Sequence, residues 1–138
     1  MSVPFHYVDL RTFCYDTEDE ARVERALRHF LPEAFEIQRA ESTGHNGDRI
    51  VVLSARVENA DGIRYVLDRL RDGADVDRLR EELDQRVNEN CAFMAHLDKQ
   101  AAFGGESRLG EGISFRAKVE AYPATREAAV ENAQDALA

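Results

Sequence analysis

The stretch "GHNGD", residues 44–48, holds the pair best suited to acid–base chemistry. His45 could act as a base and Asp48 could orient it at the tip of a hairpin. A turn with a polar tip explains the same residues more simply, because Asn46 and Gly47 both tolerate positive φ and together make a strong hairpin signal. Other catalytic chemistry lacks its residues. Cys14 and Cys91 are isolated in sequence, and His6, His29, His45 and His96 form no HxH or HExxH group, so no metal site is expected. "GGESRLGEG" is rich in glycine but lacks the GK[ST] of a phosphate loop and reads as flexible. The carboxylates fall mostly among arginines, as in "DRLREELDQR", where i,i+3 and i,i+4 pairs make a solvated helix surface. No catalytic residue, cofactor or metal is assigned, and the pattern points to a binding protein rather than an enzyme.

At 138 residues the chain suits one domain, residues 1–138, with its own core. No apolar run approaches the roughly 18 residues that a membrane helix needs, and "MSVPFHYVDLRTF" lacks the features of a signal peptide. The expectation is a cytoplasmic protein with no membrane partner and with Cys14 and Cys91 as reduced core thiols. The formal net charge is -9, from 27 Asp+Glu against 18 Lys+Arg, and only Lys99 and Lys118 are lysine. That balance suits either an ordinary acidic protein or one from a salt-loving archaeon, where surrounding ions screen self-repulsion. It argues against a broad basic face for nucleic acid or anionic membrane, so any such contact must be a local cluster.

The elements that position these residues alternate between strands and helices. "VPFHYVDLRTFCY" reads as a first strand, and a helix over about 18–31 follows, with Thr17 and Glu20 at capping-box spacing and Val23, Ala26, Leu27, Phe30 and Leu31 on one face. "AFEIQRAES" and "RIVVLSARVE" form a hairpin around Asn46-Gly47. A second helix carries Ile63, Val66, Leu67 and Leu70; a third, beyond Gly73, carries Val76, Leu79, Leu83 and Val87. "CAFMAHLDK" and "ISFRAKVEAY" read as strands joined by a loop from Gln100 to Gly112, and "ATREAAVENAQDALA" closes the chain as a helix. The order β-α-β-β-α-α-β-β-α predicts an α+β domain, a mostly antiparallel sheet with helices packed on one face.

The other face of such a sheet is open, and alternation says what it carries. If each strand's more apolar set faces the helices, the open face collects Arg11, Arg56, Arg116 and Lys118 beside Tyr7 and Phe13. Guanidinium groups fork onto phosphates and rings stack on bases, so this pattern makes a platform for RNA. Solvated strand arginines paired with Asp9, Glu58 and Glu120 are the alternative.

The segments "HYVDLRTFCYDTEDEARVERALRHFLP", "GHNGDRIVVLSARVEN", "DQRVNENCAFMAHLDKQAAFGG" and "VEAYPATREAAVENA" resemble, in order and almost end to end, the archaeal RNA-binding family of predicted exosome-associated subunits. The resemblance implies an α+β fold similar to the large-subunit ribosomal protein that binds 5S rRNA. It marks Gly44, His45, Gly47, Arg86, Asp98, Lys99 and Gln100 as the recurring polar and glycine positions. Within "DKQ", the Lys99 cation suits a phosphate and the Gln100 amide suits a base edge or ribose hydroxyl. The structural alternative pairs Asp98 with Lys99 or Arg86 and lets Gln100 close the following loop onto backbone. Asn88 in "RVNEN" replaces an expected aspartate and removes one charge from that surface.

The combined expectation is a non-catalytic protein that recognises structured RNA, such as ribosomal or transfer RNA, in RNA processing or a ribosome-related context. Its expected RNA-binding residues are Arg11, His45, Asn46, Gly47, Arg56, Lys99, Gln100, Arg116 and Lys118. Proteins of the exosome or other processing machinery are the further partners expected. The runner-up is a protein-interaction module, a homodimer or accessory subunit, that makes no direct RNA contact.

Overall fold

The computed structural model describes residues 4–138, so the start of the first strand at Val3 lies outside the described residues. Five strands form one sheet: β1 (Phe5–Tyr15), β2 (Gln38–Thr43), β3 (Arg49–Val57), β4 (Ala92–Asp98) and β5 (Gly112–Val119). Their spatial order is β2-β3-β1-β5-β4, and every neighbouring pair is antiparallel. The longest strand, β1, therefore sits at the centre. The helices are α1 (Glu20–Arg28), α2 (Ala60–Arg71), α3 (Val76–Glu81), α4 (Leu83–Arg86), α5 (Lys99–Phe103) and α6 (Arg126–Ala136). The α+β architecture is the expected one.

The period of two along each central strand sorts the two faces. Val8, Leu10, Thr12 and Cys14 of β1 are buried, as are Val51, Leu53, Ala55 and Val57 of β3 and Ile113, Phe115, Ala117 and Val119 of β5. These residues meet the apolar sides of the helices: Val23, Ala26 and Leu27 of α1, Ile63, Val66, Leu67 and Leu70 of α2, and Ala129 and Ala133 of α6. Phe93 and Phe115 meet edge to face with centroids 5.3 Å apart in this layer. Each buried Leu, Ile, Val or Phe contributes about 1.5–3 kcal/mol relative to exposure, so the apolar face holds the helices and leaves the opposite face to solvent. Thr12 is the buried polar residue of this layer, and its hydroxyl donates to the Gly112 carbonyl at 2.7 Å.

Caps define where the helices begin. Asp19 accepts from Ala21 N–H at 3.0 Å, so α1 is capped by Asp19 instead of the Thr17–Glu20 box. Asn59 accepts from Gly62 N–H at the start of α2, and Thr125 accepts from Ala128 N–H at the start of α6.

Several local expectations change. The single third helix is two short ones that meet at Glu82, although Leu79, Leu83 and Val87 still fall on one buried side. The loop expected from Gln100 opens as α5, because Asp98 accepts from Ala101 N–H at 2.9 Å and Ala102 is buried. The β2–β3 hairpin also differs in its turn. Gly47 N–H donates to the Gly44 carbonyl, Gly44 N–H donates to the Asp48 carbonyl, and Gly47 has φ +85° while Asn46 does not have positive φ. This is a three-residue loop ending in a left-handed glycine, in place of a two-residue turn with both residues left-handed.

Candidate nucleic-acid interface

The strand register assembles two polar rows on the open face. One runs Arg56–Asp9–Arg116–Met94 across β3, β1, β5 and β4. The next runs Gln38–Ser54–Arg11–Ser114–His96 and crosses all five strands. Gln38 lies on one edge strand and His96 on the other, yet both line a single groove of about 570 Å³. Strands in a sheet lie roughly 4.8 Å apart, so the groove reaches across the full width of the sheet.

Within the groove the cations differ in how they are engaged. Arg56 donates to both oxygens of Asp9 at 2.8 and 2.9 Å, and its guanidinium lies 4.1 Å from the Tyr7 ring centroid. The Asp9 hydrogen bonds, and then its charge, raise the Arg56 pKa. The Arg11 guanidinium lies 5.5 Å from the Phe13 ring centroid and makes no ion pair among the described residues. Arg116 is exposed and has no ion pair, hydrogen bond or ring contact among the described residues. Its backbone neighbour Asp9 is already occupied by Arg56. Lys118 stands one row away, opposite Tyr7, and donates to the Asn90 carbonyl. The four cations that alternation placed on one face are thus brought together, with Tyr7 and Phe13 on the same face at either end of the Asp9–Arg11 stretch of β1.

The other expected residues lie at one end of the sheet. His45, Asn46 and Gly47 form the exposed hairpin tip, and His45 makes no hydrogen bond through its side chain among the described residues, so nothing holds it as an oriented base. Lys99 lies beyond the end of β4. Its ammonium donates to the Phe13 carbonyl at 3.0 Å and meets a Glu18 oxygen at 2.9 Å, with only 16% of its side chain exposed. Gln100 is exposed and lines a cleft between α1 and α5 with Arg22 and Phe103. Asp98 pairs with neither Lys99 nor Arg86: it caps α5, and Arg86 pairs with Glu82 at 2.7 Å. Asn88 accepts from the N–H groups of Asn90 and Ala92, so its side chain closes the turn into β4.

Gln38, Ser54, Ser114 and His96 were not anticipated as site residues. Alternation along β3 and β5 already puts Ser54 and Ser114 beside the open-face arginines. The strand order, absent from any one segment, is what brings Gln38 and His96 to the same groove.

A family model described as RNA binding matches residues 7–119, from within β1 to the last residue of β5. The chain belongs to this RNA-binding family. The matched segment contains every strand residue of the groove. As a member of the RNA-binding family, the chain is 34% identical over 143 aligned residues to RNA-binding protein PAB1135 of Pyrococcus abyssi, covering 96% of this chain and 93% of that protein. Its structure is similar to that of Mth689, a DUF54 protein from Methanothermobacter thermautotrophicus, with a TM-score of 0.78, 35% identity, and 97% and 98% of the two chains covered. Protein AF2318 from Archaeglobus fulgidus shares the fold with a TM-score of 0.84 and 26% identity, over 96% of this chain and 99% of that one. No helix among the described residues is long and apolar enough to cross a membrane.

Proposed function

We propose that this protein binds structured RNA without catalysing a reaction, holding phosphates on the open sheet face through Arg11, Arg56 and Arg116, with Lys118 at the rim. The observation that carries the reading is the state of Arg116 and Arg11: both line one groove, and neither is tied to a carboxylate among the described residues. A guanidinium in that state forks onto a phosphate without first giving up an ion pair. Membership of an RNA-binding family, and the likeness to a relative named for RNA binding, support the same reading. The hairpin tip at His45, Asn46 and Gly47 supplies a further exposed contact, and Gln100 a neutral one, with Lys99 holding the strand end from which Gln100 projects. A ribosomal or transfer RNA met during RNA processing, with exosome proteins as neighbours, fits the family resemblance of the sequence.

The test is RNA affinity across a salt series. Arg11→Ala and Arg116→Ala should each weaken binding to many RNA sequences and flatten log affinity against log salt by about 0.7–0.9 per lost contact. Gln100→Ala should lower affinity with the slope unchanged, since a neutral amide releases no counterion. Wild-type affinity and slope in both arginine variants would remove the groove as the RNA site, and no measurable RNA binding by the wild type would remove the RNA reading. The interaction module would then take its place, with β2, an edge strand exposed at all six residues, as the contact surface for a second copy or a processing subunit.

A further inference from the structure

Resting on the RNA-binding reading of this face, we infer that the groove takes one unpaired nucleotide extruded from a structured RNA, and that Gln38 and His96, at opposite ends of its polar row, contact that nucleotide and its flanking backbone. Three observations converge on a site of this size and chemistry. The groove, at about 570 Å³, falls within the roughly 300–1,000 Å³ of pockets that enclose small organic ligands. That is room for a nucleotide, whereas a duplex can only lie across the rims. The charge agrees. Three arginines and one aspartate line the groove, leaving a net charge of about two positive units, which matches the phosphates on either side of a single nucleotide. A duplex laid along the sheet would press many phosphates against a molecule of net charge -9.

The neutral polar groups agree as well. Gln38, Ser54, Ser114 and His96 belong to one row, and none makes a side-chain hydrogen bond among the described residues. An amide, two hydroxyls and an imidazole offer both donors and acceptors, the set that reads base edges and ribose hydroxyls. Beside them the flat guanidinium of Arg11 and the Met94 side chain, 43% exposed, supply surfaces on which a base can lie. Paired bases turn their Watson–Crick edges inward and cannot use such a row; an extruded base can.

The experiment compares a perfectly paired RNA hairpin with the same hairpin carrying one bulged nucleotide, at fixed salt, by fluorescence anisotropy. Wild type should bind the bulged hairpin at least about tenfold more tightly, given that one base stacked on protein changes affinity on this scale. Gln38→Ala and His96→Ala, both exposed and outside the core, should each reduce that preference several-fold, the loss for the bulged hairpin exceeding the loss for the paired one. Equal wild-type affinity for the two hairpins would overturn the nucleotide site and leave RNA binding standing. A preference for the bulge that survives in both variants would overturn the assigned nucleotide contacts. Binding to neither hairpin would overturn the RNA reading together with the inference.

Discussion

Lys99 shows how a residue of binding chemistry is diverted into structure. Its ammonium closes a contact between the end of β4, the Phe13 carbonyl of β1 and Glu18 in the turn before α1. Gly112 leaves room for it: φ there is +115°, and a Cβ would sit 2.6 Å from Lys99 Cβ. Burial pushes the Glu18 carboxyl up, but the Lys99 hydrogen bond and the Tyr15 N–H outweigh it and hold the group below its ordinary value. A depressed carboxyl stabilises the fold above its unfolded pKa and loses that contribution as pH falls through the folded value. Lys99→Ala should therefore cost about 1–3 kcal/mol near pH 7, by leaving Glu18 half-buried without its charge-assisted bond. The gap from wild type should narrow as pH drops below about 4, and the salt slope of RNA binding should not move. Denaturant unfolding at several pH values checks the first two, and a gap that widens in acid would show that Glu18 is not the partner that matters.

At the scale of elements, the hairpin between β2 and β3 depends on one glycine. Gly47 has φ +85° and nothing within 4 Å of an added Cβ, so any penalty for a side chain comes from the backbone and not from a clash. Gly47→Val should cost about 1–2 kcal/mol, and Gly47→Asn distinctly less, because asparagine visits the left-handed region more readily. Thermal unfolding of the two variants measures this, and equal melting temperatures would contradict the turn geometry. The hairpin was legible from Asn46-Gly47 between two strand-like segments, but its loop length was not. Closing the turn needs Gly44 and Asp48 to pair, and that depends on where the ladder ends at Thr43 and Arg49. Helix α5 escaped periodicity for a related reason: five residues are too few to show a stripe, and its start is set by Asp98 reaching Ala101 N–H.

For the molecule as a whole, the net charge of -9 sets long-range repulsion against short ion pairs such as Arg39–Glu20 at 2.8 Å and Arg49–Glu41 at 2.7 Å. Added salt largely screens exposed charges farther apart than the screening length, about 10 Å at 0.1 M, while touching pairs are screened much less. The melting temperature should accordingly rise as salt increases from about 0.05 M to about 0.5 M. A fall over that range, followed by calorimetry, would mean that the surface pairs outweigh the repulsion.

The sequence by itself determined the α+β class, the buried and open sides of β1, β3 and β5, and the cations Arg11, Arg56, Arg116 and Lys118 on the open side. Those follow from local periods, and alternation carries them wherever the strand ends up. Tertiary structure alone decided which of these residues meet. The order β2-β3-β1-β5-β4 puts Gln38 and His96 in one row with Arg11, gives Asp9 to Arg56 and leaves Arg116 free of it, and takes Lys99 out of solvent to join Glu18. Pairing between strands far apart in the chain depends on the packing of the whole core and leaves no period in any one segment.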